Sequence, residues 1–268
     1  MIDIKTSRAY WDVAAETYDH DFPETLIGTL QREQVWRQLD RVFHPGQRIL
    51  ELNCGTGLDA MHLAKRGVQV LACDISPRMI ELANRRMTSS SVRSRVELRV
   101  LPIQDLHVLG DELVDGTFSN FSGLNCVKDL SLVSENLARI LRPGSRVLAC
   151  MIGRFYAWEI VWYLAQANPK KAFRRFRRSG TGGFNKTSQV EVYLHTVAEI
   201  TRMFAPRFRL RGHKGIGIAL PPCYAERRFS HLSAAIRALA KLDRLLAVVP
   251  LFRTMGDCVL LEFERVGS

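Results

Sequence analysis

The stretch ILELNCGTGLDAMHLAKRG, residues 49–67, decides the fold. Arg48–Asn53, RILELN, reads as a buried strand; a glycine turn follows, and Gly57–Gly67 reads as a helix that a glycine ends. Strand, turn and helix make the first half of an α/β unit. Gly55, Gly57 and Ala60 also satisfy the G-x-G-x-x-G/A spacing of a dinucleotide turn. Asp74 stands about twenty residues on, where that turn wants a ribose-binding acid. Taken alone, the spacing points to a diphosphate ligand. Glu51 speaks against it.

Outward from this turn, strands and helices alternate. Val68–Asp74 is a second strand, and Ser76–Met87 is a helix with Ser76 as its N-cap and Pro77 in its first turn. Arg95–Leu101 and Asp115–Asn120 are a third and a fourth strand, Leu130–Gly144 a helix, and Ser145–Ile152 a fifth strand. Strands separated by single helices pair in parallel with right-handed crossovers. The fold class is therefore α/β, a doubly wound, mostly parallel, Rossmann-like sheet. HTVAEITRMFA, RFRLRGH and DCVLLEFERV add a helix and two strands, which completes a seven-stranded sheet with one antiparallel strand near the end.

This reading gives one domain over residues 1–268. Residues 1–45 form an N-terminal lid and 46–152 the cofactor-binding core. Segments 153–189 and 216–253 are longer than ordinary connections and are read as helical cap insertions. With 47% hydrophobic residues the chain can bury a substantial core. It has neither an apolar run of about eighteen residues nor a basic-then-apolar leader, so a cytoplasmic location is expected. Its six cysteines are scattered without a C-x-x-C pair, which argues for a reducing compartment and against a disulfide framework. No metal is expected, because H-x-x-x-H and H-E-x-x-H spacings do not occur. The net charge of +11 points to anionic partners without naming one.

Two acids frame the glycine turn: Glu51 in the strand and Asp59 in the helix's first turn. A carboxylate within several ångströms of a diphosphate costs on the order of a few kcal/mol at intermediate dielectric. A ligand with a sulfonium, an ammonium and no phosphate is attracted instead. ELNCGTG resembles motif I of the class I S-adenosylmethionine-dependent methyltransferases, and CDIS, PIQDL, FSNFSGLN and LRPGSRVL follow in the family's order. Asn53 stands where the family usually has glycine.

The resemblance implies S-adenosylmethionine as cofactor and gives roles to particular residues. Glu51, Asn53, Cys54, Gly55 and Gly57 surround the methionine half; Asp74, with Ile75 beside it, takes the ribose hydroxyls. Asp105 receives the adenine amino group and Leu106 offers a backbone donor. Asn120 stands near the sulfonium, and Tyr18 resembles the tyrosine that closes over the cofactor in small-molecule members. Each has a plainer reading: a loop acid before a capped helix for Asp74, a solvated turn for Asp105, a strand-ending turn for Asn120, and a packing aromatic for Tyr18.

Motif IV lacks the N/D-P-P-Y form of amino-directed DNA and protein-glutamine members, and reads SNFSGLN. The pattern resembles the small-molecule and lipid branch, so a small, hydrophobic or lipid-like acceptor is expected, methylated by in-line displacement. An RNA methyltransferase, motivated by charge alone, and a non-catalytic methyltransferase-like binding protein are the alternatives; nucleic acid is the less favoured partner. His195 is the leading candidate for a general base, against a plainer role bonded to backbone. Tyr10, Asn125, Trp158 and Tyr224 are the substrate-binding candidates. One apolar pocket beside Asn120 is expected from Tyr10–Tyr18, Phe155–Trp162 and Leu220–Tyr224. The run KKAFRRFRR, Lys170–Arg178, if helical, sets Phe173 and Phe176 on one face between cations, a surface that fits anionic lipid or RNA phosphates. LSAAIRALAKLDRLLAVVPLF adds an amphipathic helix with Arg237, Lys241 and Arg244 on one side, able to pack on its own domain, line a greasy pocket or rest on a membrane.

Overall fold

The computed structural model describes residues 4–88, 90–110, 113–177, 179–182 and 190–267. Residues 183–189 of the first expected cap insertion and Arg178 of its basic run lie outside the described residues, as do residues 1–3 of the lid.

Parallel strands β1 (Arg48–Leu52), β2 (Gln69–Asp74), β3 (Val96–Val100), β4 (Val114–Ser119) and β5 (Leu141–Ile152) are ordered 3-2-1-4-5. A short hairpin, β6 (Ser179–Gly182) and β7 (Val190–Tyr193), forms its own two-stranded sheet. The main sheet is completed by β9 (Cys258–Arg265), antiparallel to β5, and by β8 (Phe208–Ile216), antiparallel to β9. The seven-stranded, mostly parallel α/β sheet expected from the sequence is present. Its order turns over at β1 and β4, and in such sheets the crevice at that point is where ligands bind.

Alternation along each strand gives the sheet two apolar faces. Leu50, Leu52, Leu71 and Cys73 join one core, with α6 (Ser131–Ile140) and α9 (Val197–Phe204) packed over it. Ile49, Val70 and Ala72 join the other, which α3 (Leu26–Val42), α4 (Leu58–Lys65) and α5 (Pro77–Thr88) cover. Thr25 starts α3 by accepting a hydrogen bond from the Gly28 amide, and Val35 and Leu39 carry its buried stripe. Thr196 and Glu199 form a reciprocal capping box at the start of α9. Of the 1–45 segment expected as a lid, α3 packs on the sheet, and α1 (Ile4–Ala14) with the single turn α2 (Tyr18–Asp21) precedes it. The caps contain α7 (Ala157–Leu164), α8 (Pro169–Ala172), α10 (Glu226–Phe229) and α11 (Ser233–Leu246). No helix among the described residues is long and apolar enough to cross a membrane.

The basic run differs from its expected form. It is α8 followed by a 3-10 turn at Arg174–Phe176, where Arg175 is largely buried and Arg174 remains half-exposed. Both bond to Glu159, which is 1% exposed, and Arg175 also reaches Asp257 at 2.6 Å. Two of its cations are therefore internal ties of the cap.

Candidate functional site

The register of three strands assembles the site. Leu52 pairs with Cys73 and with Ser119, so Asn53, Asp74 and Asn120 emerge together at neighbouring strand ends. Beyond β1 the chain turns tightly: Asn53, Gly55 and Gly57 have φ of 55°, 53° and 77°. Asparagine is among the side chains that accept this left-handed region most readily, which is why the departure at position 53 is tolerated. Gly123 makes room for it, since a Cβ there falls 2.4 Å from the Asn53 Cβ. At Gly57 a Cβ meets Ala83 and Met87 at 3.0 Å, so this glycine lets α5 pack against the turn.

Asp74 accepts hydrogen bonds from the Gly55 and Ser76 amides, both at 2.9 Å. Burial nevertheless raises its pKa to about 6, with these amides acting in the opposite direction. A cleft of about 410 Å³ opens above it, lined by Asn53, Gly55, Asp74, Ile75 and Asn120, with Tyr18, Trp11 and Phe121 around them. A second recess, of about 250 Å³, adjoins it and is lined by Arg32, Cys54, Thr56 and Asp59 among others.

The two acids that frame the turn are tied into their surroundings in different ways. Asp59 accepts from Arg32 Nη1 and Trp36 Nε1 at 2.6 Å and from Asn120 Nδ2 at 2.9 Å. Its charge is therefore countered by a buried guanidinium. Glu51 is 1% exposed, and burial, with Asp59 nearby, pushes its pKa well above the usual carboxylate range. Glu51 Oε2 and Arg32 Nε are buried without a hydrogen-bond partner. An orphaned carboxylate oxygen and an orphaned guanidinium N–H suit the ammonium and carboxylate of an amino-acid group.

The lid is fastened to this floor. Asp12 accepts from Ser76 Oγ at 2.5 Å and from the Arg78 amide, while Asp19 accepts from Thr56 Oγ1 at 2.6 Å and pairs with Arg86 at 2.5 Å. Tyr18 lies over Gly55, and burial pushes its phenol up to about 12.

Several expected residues are not brought to the cleft. His195 stacks on Tyr193 and its Nε2 lies 3.4 Å from the Val127 carbonyl, outside the lining. Asn125 is fully buried, its amide donating to Tyr193 O and accepting from the Ile152 amide, so it braces the sheet edge rather than facing a substrate. Tyr10 is buried among Ala14 and Val190. Trp158 donates to the Ala219 carbonyl, and Tyr156 to that of Leu220, so the second and third expected pocket segments do meet each other. Tyr224 stacks on Tyr163 there. Neither of these two segments lines the cleft, where the lid instead meets the loop after β4. Asp105 and Leu106 occupy a 3-10 stretch after β3 outside this lining, Leu106 with its side chain in the core.

Arg32, Asp19 and Phe121 were not among the candidates, while Trp11 and Asp12 lie within the Tyr10–Tyr18 pocket segment without having been singled out. Arg32 and Trp36 had a signal: they lie four residues apart on the buried side of α3, where a cation requires a partner. The lid acids had none, because their partners are distant in the chain.

Residues 49–144 match a family model described as a methyltransferase domain. A demethylmenaquinone methyltransferase of Clavibacter sepedonicus is 33% identical over 145 residues, 53% of this chain and 56% of that protein. A ubiquinone biosynthesis O-methyltransferase of Xanthomonas campestris is 28% identical over 169 residues, 59% of this chain and 67% of the relative. The match thus spans little more than half the length of the first of these. Among solved structures, a geranyl diphosphate C-methyltransferase from Streptomyces coelicolor superposes with a TM-score of 0.56 at 18% identity, covering 88% of this chain and 78% of its own, a likeness of fold.

Proposed function

We propose that this chain, which belongs to the class I S-adenosylmethionine-dependent methyltransferases, moves a methyl group from that cofactor to a small, lipid-like acceptor. The observation that carries the cofactor assignment is Asp74, poised for a ribose at the floor of the cleft, together with Arg32 at the adjoining recess and the buried, orphaned Glu51 Oε2 of β1 beneath the turn. S-adenosylmethionine, when bound, supplies an electrophilic methyl group on a sulfonium. The chain's residues do the rest. Glu51 holds the ammonium; Arg32, kept in place by Asp59, holds the carboxylate; Asp74 holds the ribose; Tyr18 and Trp11 exclude water.

Asn120 is held by Asp59 and by the Phe121 amide, which fixes its position in the cleft wall where the acceptor approaches. Among the described lining residues the only carboxylate is that of Asp74, and no histidine is present. Catalysis therefore rests on positioning a nucleophile already in its reactive form, as an enolate, phenolate or neutral amine would be. His195 stays outside that account unless the loop at Val127 moves. The lipid-like acceptor is inferred from the quinone-pathway relatives together with the aromatic wall of Trp11, Tyr18 and Phe121.

The test is incubation with methyl-labelled cofactor and separate lipid, RNA and polar-metabolite extracts. Label is expected in the lipid extract. Label in RNA would favour the alternative reading, and cofactor binding with no transfer to any extract would indicate a binding protein.

A further inference from the structure

α11 is apolar on two opposite sides. Ile236, Ala240 and Ala247 face inward, and Ile236 and Ala240 join the cluster containing Ile27 and Leu30 of α3. The helical period places Ala238, Leu242 and Leu245 on the outward side, and all three are exposed, Leu245 by 70%. The exposed apolar surface continues past the helix, with Val248 at 65% and Leu251 at 66%. Beside it Arg237, Lys241 and Arg244 form an exposed stripe at spacings of four and three. The single acid of α11, Asp243, is fully buried, accepting from Gln34 Nε2 and from the Gly217 and Ala219 amides. No carboxylate of the helix thus offsets these cations at the surface.

We infer that α11 and the turn after it, through Leu251, form a docking surface for an anionic lipid bilayer. A helix of 14 residues is about 21 Å long, shorter than the roughly 30 Å hydrocarbon core, so it lies in the interface rather than across it. Leu242, Leu245, Val248 and Leu251 enter the acyl boundary, while the three cations meet phosphate headgroups. Charge complementarity selects this occupant. A second copy docked face to face would bring one basic stripe near another, with no exposed acid on either helix to relieve it. The inference does not depend on the acceptor or on the methyl-transfer reading.

The test is co-sedimentation of the full chain with phosphatidylcholine vesicles and with phosphatidylcholine–phosphatidylglycerol vesicles, across ionic strength. Binding at least about tenfold tighter to the anionic vesicles, weakening with salt, is expected. Joint replacement by Arg237→Gln, Lys241→Gln and Arg244→Gln is expected to cost on the order of a hundredfold, at about fivefold per charge. Leu242→Ser with Leu245→Ser is expected to cost at least about tenfold through lost apolar burial. Circular dichroism and thermal melts check that the variants fold, and sedimentation velocity reads the oligomeric state. Equal binding to neutral and anionic vesicles, or variants that bind like the parent chain, would overturn the inference. So would a dimer that the leucine substitutions dissolve, in a protein that ignores vesicles.

Discussion

Replacing Gly123 with alanine drives a methyl group into the side chain of Asn53. The added Cβ falls 2.4, 2.5 and 2.6 Å from the Asn53 Cβ, Cγ and Oδ1, whereas carbon atoms prefer about 3.5–4.0 Å. Asn53 cannot swing aside at its Cβ, because its backbone is held at φ 55° where β1 enters the turn and the next amide bonds to Cys73 O. Overpacking of this kind costs roughly 1–3 kcal/mol, and a clash with a fixed Cβ belongs at the upper end. Asn53→Gly removes all three clashing atoms and places glycine where φ is positive, so alone it should change stability by less than about 1 kcal/mol. The two changes together should recover most of the loss, a coupling of about 2 kcal/mol. Urea unfolding of the four proteins measures it, provided the m-values agree. Strict additivity, within about 0.5 kcal/mol, would refute the claim that Gly123 exists to accommodate Asn53.

Four further outcomes follow from the charged groups. Asp74→Ala should weaken S-adenosylhomocysteine binding by roughly 1.5–3 kcal/mol, read by calorimetry. In the parent chain, Asp74 must lose its proton to accept two hydroxyls, so affinity should fall as pH drops through about 6, approaching tenfold per unit; a flat profile removes Asp74 from the ribose site. Arg32→Met strands the charge of Asp59 and should lower stability by about 3–5 kcal/mol in urea, against no change if solvent reaches the pair. Asp19→Ala releases the lid from Thr56 and from Arg86; the Asp19–Arg86 pair is partly exposed, so the change should speed S-adenosylhomocysteine release in stopped flow while moving the melting midpoint little. An unaltered release rate would show that the lid opens without that contact.

The sheet was legible because its signals are local. Alternating apolar runs, Ser76 before Pro77 and the glycines after β1 each mark an element without reference to the rest of the chain. The turn and Asp74 were legible for the same reason, since they are adjacent strand ends. The partner of Arg32 was not: Asp59 lies twenty-seven residues away, and only the packing of α3 over α4 joins them. Asn125 misled in the opposite sense. A polar residue in the loop after β4 reads as a ligand contact, yet both ends of its amide are taken by backbone from β5 and β7. The basic run misled because charge in a sequence says nothing of direction, and Glu159 pairs with two of its arginines, burying Arg175. The cap segments meet through Trp158 and Tyr156, a contact between regions about sixty residues apart that no periodicity encodes.

The central claim is that the cleft above Asp74 takes an amino-acid-bearing nucleoside and not a dinucleotide diphosphate. Isothermal titration of the full chain with S-adenosylhomocysteine and, separately, with NAD measures that most directly. The account predicts saturable binding of S-adenosylhomocysteine at one site, weakened in Asp74→Ala, and no heat from NAD beyond dilution. Saturable NAD binding in a protein that gives no response to S-adenosylhomocysteine would contradict it.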